Sequence, residues 1–95
     1  MNADVRDVLV RARARVERGW TQGVMVNASG DVCASGAIHA AVDNRPTVAA
    51  VLASNTLSET IGGWPISRWN DMPGRTQAEV LAAFDKAIAL CEQEL

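Results

Sequence analysis

Apolar residues recur at helical spacing early in the chain: Val5, Val8, Leu9, Ala12 and Val16 share one face of a 3.6-residue period. They predict a helix over residues 4–18, ended by Gly19. Two short β-prone runs follow, Val24-Met25-Val26 and Val32-Cys33, on either side of Asn27-Ala28-Ser29-Gly30-Asp31. They fit a small β-hairpin at about residues 24–33, which must lean on helices because two strands alone are marginal in water. Helical period returns over 33–42, where Cys33, Gly36, Ala37 and Ala40 form a narrow face of small side chains and Ile38 and Val42 lie roughly opposite. A segment apolar on most sides is expected at the centre of the fold.

Pro46 suits the first turn of a helix and disfavours α conformation at Arg45, so a third helix is predicted over 46–54, burying Val48, Val51 and Leu52. Residues 55–63 are polar or glycine apart from Leu57 and Ile61, which predicts one loose turn and the most mobile part of the chain. Pro65 opens a turn or two of helix containing Ile66 and Trp69, and Pro73-Gly74 stops it. Thr76-Gln77-Ala78-Glu79 is a capping box, followed at helical spacing by Val80, Leu81, Phe84, Ala87, Ile88, Cys91 and Leu95. The pattern as a whole predicts a mainly α fold: a compact bundle of four or five short helices around the 33–42 helix, in one domain spanning residues 1–95.

Composition narrows the function classes. A chain of 95 residues forms one modest core and cannot easily enclose a deep catalytic cavity. Arg, Asp, Asn or Gly interrupts every apolar run before it approaches the ~20 residues of a membrane span. The acidic start, with Asp4 and Asp7, is unlike a secretory signal, so a cytoplasmic location is expected. In a reducing compartment Cys33 and Cys91 are read as buried thiols, and the sequon at Asn27-Ala28-Ser29 as a chance match.

Net charge is −2, which gives no overall pull toward nucleic acid, but its distribution is uneven. Arg6, Arg11, Arg13, Arg15 and Arg18 stand against Asp4, Asp7 and Glu17 in the first 18 residues; the remainder holds four basic and eight acidic side chains. On a helical projection Arg11, Arg15 and Arg18 form one stripe and Arg6 and Arg13 another, flanking the apolar face. Long arginine stems can cover the edges of a core while their heads stay in water. As a nucleic-acid footprint, two stripes with interspersed acids are poor; an acidic protein partner suits them better. Val10 and Ala14 make a small apolar strip on the far side, enough for a weak homodimer.

Candidate chemistry is sparse. Asp71 as general base with Asn70 as orienting amide has no evident partner, so Trp69-Asn70-Asp71 reads as a joint: Trp69 buries its ring while Asn and Asp satisfy the backbone of a very short helix. Cys33 and His39 are separated by about 240° of helical rotation and do not face each other as nucleophile and base. The same three soft side chains, Cys33, His39 and Cys91, lack the close spacing of a zinc site. Asn27, Ser29 and Asp31 open like a calcium loop, but the twelfth position is Ile38, where a bidentate Glu is required. No cofactor or metal is expected. Trp20, Cys33, Trp69, Asn70, Asp71, Thr76 and Glu79 are assigned structural roles, and Arg11, Arg15, Arg18, Trp64 and Arg68 are the candidate partner-binding residues.

Gly19-Trp20-Thr21-Gln22-Gly23, Cys33-Ala34-Ser35-Gly36-Ala37, Trp69-Asn70-Asp71, Gly74-Arg75-Thr76, Glu79-Val80 and Ala87-Ile88 together resemble a family of small uncharacterised proteins from actinobacteria and their phages. The resemblance spans most of the chain and implies no specific chemistry. It implies an actinobacterial or actinophage setting, which agrees with eight of nine basic residues being Arg. The expected function is a small non-enzymatic accessory or protein-binding factor, acting on a host protein. The alternatives are a nucleic-acid-binding module using the first helix, and a small enzyme using Asp71 or Cys33.

Overall fold

The first helix, α1 (Asn2–Arg18), carries the stripe that its sequence pattern announces: Val5, Val8, Leu9, Ala12 and Val16 are all buried. A computed structural model describes residues 2–93 of the chain, and the predicted core position Leu95 lies outside them. Four more helices follow: α2 (Ala34–Ala41), α3 (Val48–Thr60), α4 (Ile66–Asn70) and α5 (Gln77–Gln93). The fold is mainly helical and compact, with a Cα radius of gyration of 11.9 Å.

The hub is α1, which packs most extensively on α5 and α2 and also on α3. This corrects the expectation that the 33–42 helix would be central. That helix has only 8 residues, whereas α1 has 17 and an apolar stripe long enough to meet three neighbours. From α5, Val80, Ala83, Phe84, Ala87 and Cys91 close the core against it.

Between α1 and α2 the expected small hairpin is reduced to one antiparallel bridge, Val26 to Val32, flanked by the bonds Asn27 N–H to Asp31 O (3.0 Å) and Cys33 N–H to Met25 O (3.1 Å); Val32 also bridges Trp20 in parallel. The Asn27 side-chain oxygen accepts from the backbone N–H groups of Ser29 and Asp31, folding the segment on itself. Both backbone groups of Val32 are then committed to Gly19 and Thr21. Val32 is completely buried, while Val24, Met25 and Val26 stay exposed.

Cys33 is not part of α2 but its N-cap, its Sγ accepting from Gly36 N–H at 3.3 Å. Gly36 is obligatory for packing: a Cβ there would lie 2.1 Å from the Met25 carbonyl oxygen. At the other end Asp43 (φ 53°) and Asn44 (φ 60°) turn the chain out of α2 in the left-handed region, and Asn44 N–H bonds back to His39 O at 2.8 Å.

α3 departs most from the pattern reading. It begins after Pro46, because the Thr47 hydroxyl accepts from Ala50 N–H and takes the cap position. It then runs six residues past the predicted end at residue 54. Residues 55–60 are helical rather than loose: the Thr56 and Thr60 hydroxyls turn back onto the carbonyls of Leu52 and Leu57, and Leu57 is completely buried. The helix stops at Gly62 (φ 89°) and Gly63 (φ 83°), where Gly63 N–H bonds to Ser58 O. The buried face consists of Ala53 and Leu57. Val48, Val51 and Leu52, expected in the core, therefore point outward, Val48 at 65 % and Val51 at 57 % exposure.

Candidate functional site

At the joint between α4 and the rest of the fold, Asn70 is completely buried and all its hydrogen-bonding capacity is met. Its Oδ1 accepts from Trp20 Nε1–H (2.8 Å) and Ala34 N–H (3.0 Å); its Nδ2 donates to Thr21 O (3.2 Å) and Asp71 Oδ1 (2.9 Å). The same Asp71 oxygen accepts from Gly23 N–H at 3.0 Å. Gln22 donates to the carbonyl of Asn70, at the end of a five-residue helix, and to that of Met72, which also accepts from Arg75 N–H. One amide thus ties α4, the start of α2 and the 19–23 segment together. The deeply buried side chain is Asn70, not Trp69: the Trp69 ring is half-buried beneath the Arg75 guanidinium, 4.1 Å from its centroid. Gln22 and Arg75 were not foreseen, since nothing in the sequence places residue 22 beside residue 70.

The reactive side chains lie apart from one another. Cys33 and Cys91 are buried and not joined in a disulfide, while His39 is exposed on the last turn of α2. Among the described residues no group of three His, Cys, Asp or Glu side chains is arranged to hold a metal ion. None of the described helices is long and apolar enough to cross a membrane.

The arginines divide by what they touch. Arg6 pairs with Asp7, and Arg13 bridges Glu17 on its own helix and Asp85 on α5, both at 2.6 Å. The Asp85 hydrogen bond makes the Arg13 guanidinium hold its proton still more firmly than usual. Arg11, Arg15 and Arg18 instead line a trough of about 650 Å³ together with Arg45, facing the C-terminal end of α2. Asp43 is the acid in that lining. Among the described residues no carboxylate comes within ion-pair distance of these four arginines. The two stripes expected from the projection are therefore one set paired with carboxylates and one cluster without them, in which Arg15 donates to the Gly30 carbonyl at 3.5 Å. Ala14, part of the expected apolar strip, lies in the trough, and its companion Val10 is exposed.

Trp64 and Arg68, grouped with these arginines at the sequence level, do not join them: both are exposed near α4, and neither lines the trough. What joins the trough is a groove of about 410 Å³ between α2 and α3, floored by Ile38, Val42, Pro46, Ala50 and Val51. Val42, Arg45 and Thr47 line both depressions, so apolar groove and cationic trough meet across the α2–α3 corner. The groove was missed because its apolar residues match a core pattern.

A profile of a family of unknown function (DUF6197) matches residues 1–90. No curated protein and no solved structure matches the chain.

Proposed function

Because the chain belongs to DUF6197, a family with no function attached to it, we propose from geometry alone that it is a small non-enzymatic accessory factor that works by docking on another protein. One observation carries this reading: an uncovered apolar face, Val48 and Val51 on α3 with the α2–α3 groove, is continuous with four arginines that have no acidic partner among the described residues. Exposed apolar surface rimmed by charge is the usual signature of a protein-binding site. The side chains best suited to catalysis are engaged otherwise, Asp71 in the joint and Cys33 as a buried helix cap.

The proposal extends to setting. Arginine-rich composition supports an actinobacterial or actinophage origin, and two buried cysteines that are not joined in a disulfide support a cytoplasmic site of action, with a host protein as partner. Affinity purification from an actinobacterial host at low salt is expected to recover a stoichiometric partner with the wild-type chain and to lose it with Val51→Asp. Recovery of no such partner rejects the reading.

A second reading, nucleic-acid binding, is favoured by the same clustering of Arg11, Arg15, Arg18 and Arg45. It requires binding to duplex DNA or single-stranded RNA that falls steeply with salt; a flat titration at about 50 mM salt ends it.

A further inference from the structure

We propose that the segment received by this surface is an acidic amphipathic helix, its apolar side in the α2–α3 groove and its carboxylates over the arginine trough. The inference rests on the protein-docking reading and specifies the chemistry of the partner.

Three observations select that occupant. First, α3 is apolar on two sides: Ala53 and Leu57 face the core, while Val48, Val51 and Leu52 face out. Its first half, residues 48–53, is apolar on every side, so the outer side of that half is suited to receive another apolar element. Second, the groove runs between two helices and exposes mostly apolar surface, from Val42, Pro46, Ala50 and Val51, with His39, Asn44, Thr47 and Ser54 also in its lining; this is the setting in which a guest helix inserts side chains spaced i, i+3, i+4 and i+7. Third, the charge is local and predominantly basic. A chain of net charge −2 gathers Arg11, Arg15, Arg18 and Arg45 in the trough that adjoins the groove, against Asp43 in the same lining and Asp4 and Asp7 in the next depression, which Arg11 shares. Arg45 borders groove and trough alike, so a helix seated in one presents its flanking residues to the other. Guanidinium groups in a row favour carboxylates by bidentate pairing and repel a basic guest. Phosphate would satisfy the arginines equally well but gains nothing from an aliphatic groove beside them.

The test is a selection of displayed helical peptides of about 15 residues, roughly four turns, against the immobilised wild-type protein. Enriched sequences are expected to carry apolar residues on one face with Asp and Glu beside it. Synthetic versions should bind about tenfold or more weakly to Val51→Asp and, independently, to the Arg11→Glu/Arg45→Glu double variant. Circular dichroism verifies that each variant is folded, and Ser54→Asp, at another position of α3 that lines the groove, substitutes for Val51→Asp should that variant lose helicity. Basic or uncharged winners, winners that bind all variants equally, or no enrichment at all each overturn the inference. Duplex DNA binding that is abolished by the double variant but indifferent to Val51→Asp assigns the surface to nucleic acid and overturns it too. A concentration-dependent dimer broken by Val51→Asp assigns it to a second copy, with the same consequence. Failure of the peptide selection alongside capture of a protein sensitive to Val51→Asp sinks only the acidic helix. Failure of both sinks protein docking as well.

Discussion

Asn70 concentrates more of the fold into one side chain than any other polar residue, because a buried amide bonds three segments at once. Replacing it with Leu leaves the Trp20 indole N–H, the Ala34 N–H and the Thr21 carbonyl without their partner, and an orphaned buried polar group is expensive. Asn70→Leu is expected to lower unfolding stability by about 3 kcal/mol in urea titrations, even though Leu is similar in size. Gly36 is a second sensitive position for a steric reason. The Met25 carbonyl occupies the place of its missing side chain, so Gly36→Ala is expected to cost about 1–3 kcal/mol through displacement of the 25–26 backbone. A change in the exchange rates of amides around Met25 would report that displacement directly.

Single elements are set by their ends and faces. The capping box of α5 closes as the sequence predicts: Glu79 N–H donates to Thr76 Oγ1 at 3.2 Å and Thr76 N–H to Glu79 Oε1 at 2.9 Å. Arg75 adds an ion pair to the same carboxylate. Thr76→Ala should therefore destabilise the protein by about 1 kcal/mol. The Thr76 N–H, with smaller help from the Thr76 hydroxyl and Arg75, holds the Glu79 carboxyl below its ordinary 4.5. A carboxyl whose folded value is depressed contributes stability that is present above the unfolded value and is lost as pH falls through the folded one. Stability is expected to decline on acidification below about 4.5. Glu79→Gln should make that decline shallower, as followed by thermal melts across the acid range. On α3 the expectation is the reverse of a core helix: Val48→Ser and Val51→Ser should each change stability by no more than about 0.5 kcal/mol, although both look like core residues in the sequence. A loss of several kcal/mol in either would mean that the outer face of α3 is covered within the chain.

Across the whole molecule, the basic N-terminal helix serves two purposes that a charge count merges. Arg13 ties α1 to α5 through Asp85, whereas Arg45 and its neighbours in the trough contribute like-charge repulsion. Arg13→Ala should lower stability by up to about 1 kcal/mol, an effect weakened by added salt, while Arg45→Glu should not lower it at all. Denaturation curves at low and high salt separate the two. If Arg45→Glu proves strongly destabilising, the trough is a stability element rather than a receptive surface.

The α1 stripe, the Thr76 to Glu79 cap and the Phe84-centred face of α5 were legible in the sequence because each depends on contacts within four residues, which spacing records directly. The predominance of helix followed from them. Tertiary structure alone decided the remainder. Whether Val48, Val51 and Leu52 or Ala53 and Leu57 faced the core depended on where α3 ended and which neighbours it met, and periodicity cannot choose between two apolar faces of one helix. The hairpin was reduced to a single antiparallel bridge around a side-chain turn at Asn27, while Val32 took further partners from residues 19–21. The meeting of Arg45 with Arg11, Arg15 and Arg18 joins positions at least 27 residues apart, a distance across which one sequence carries no spacing signal.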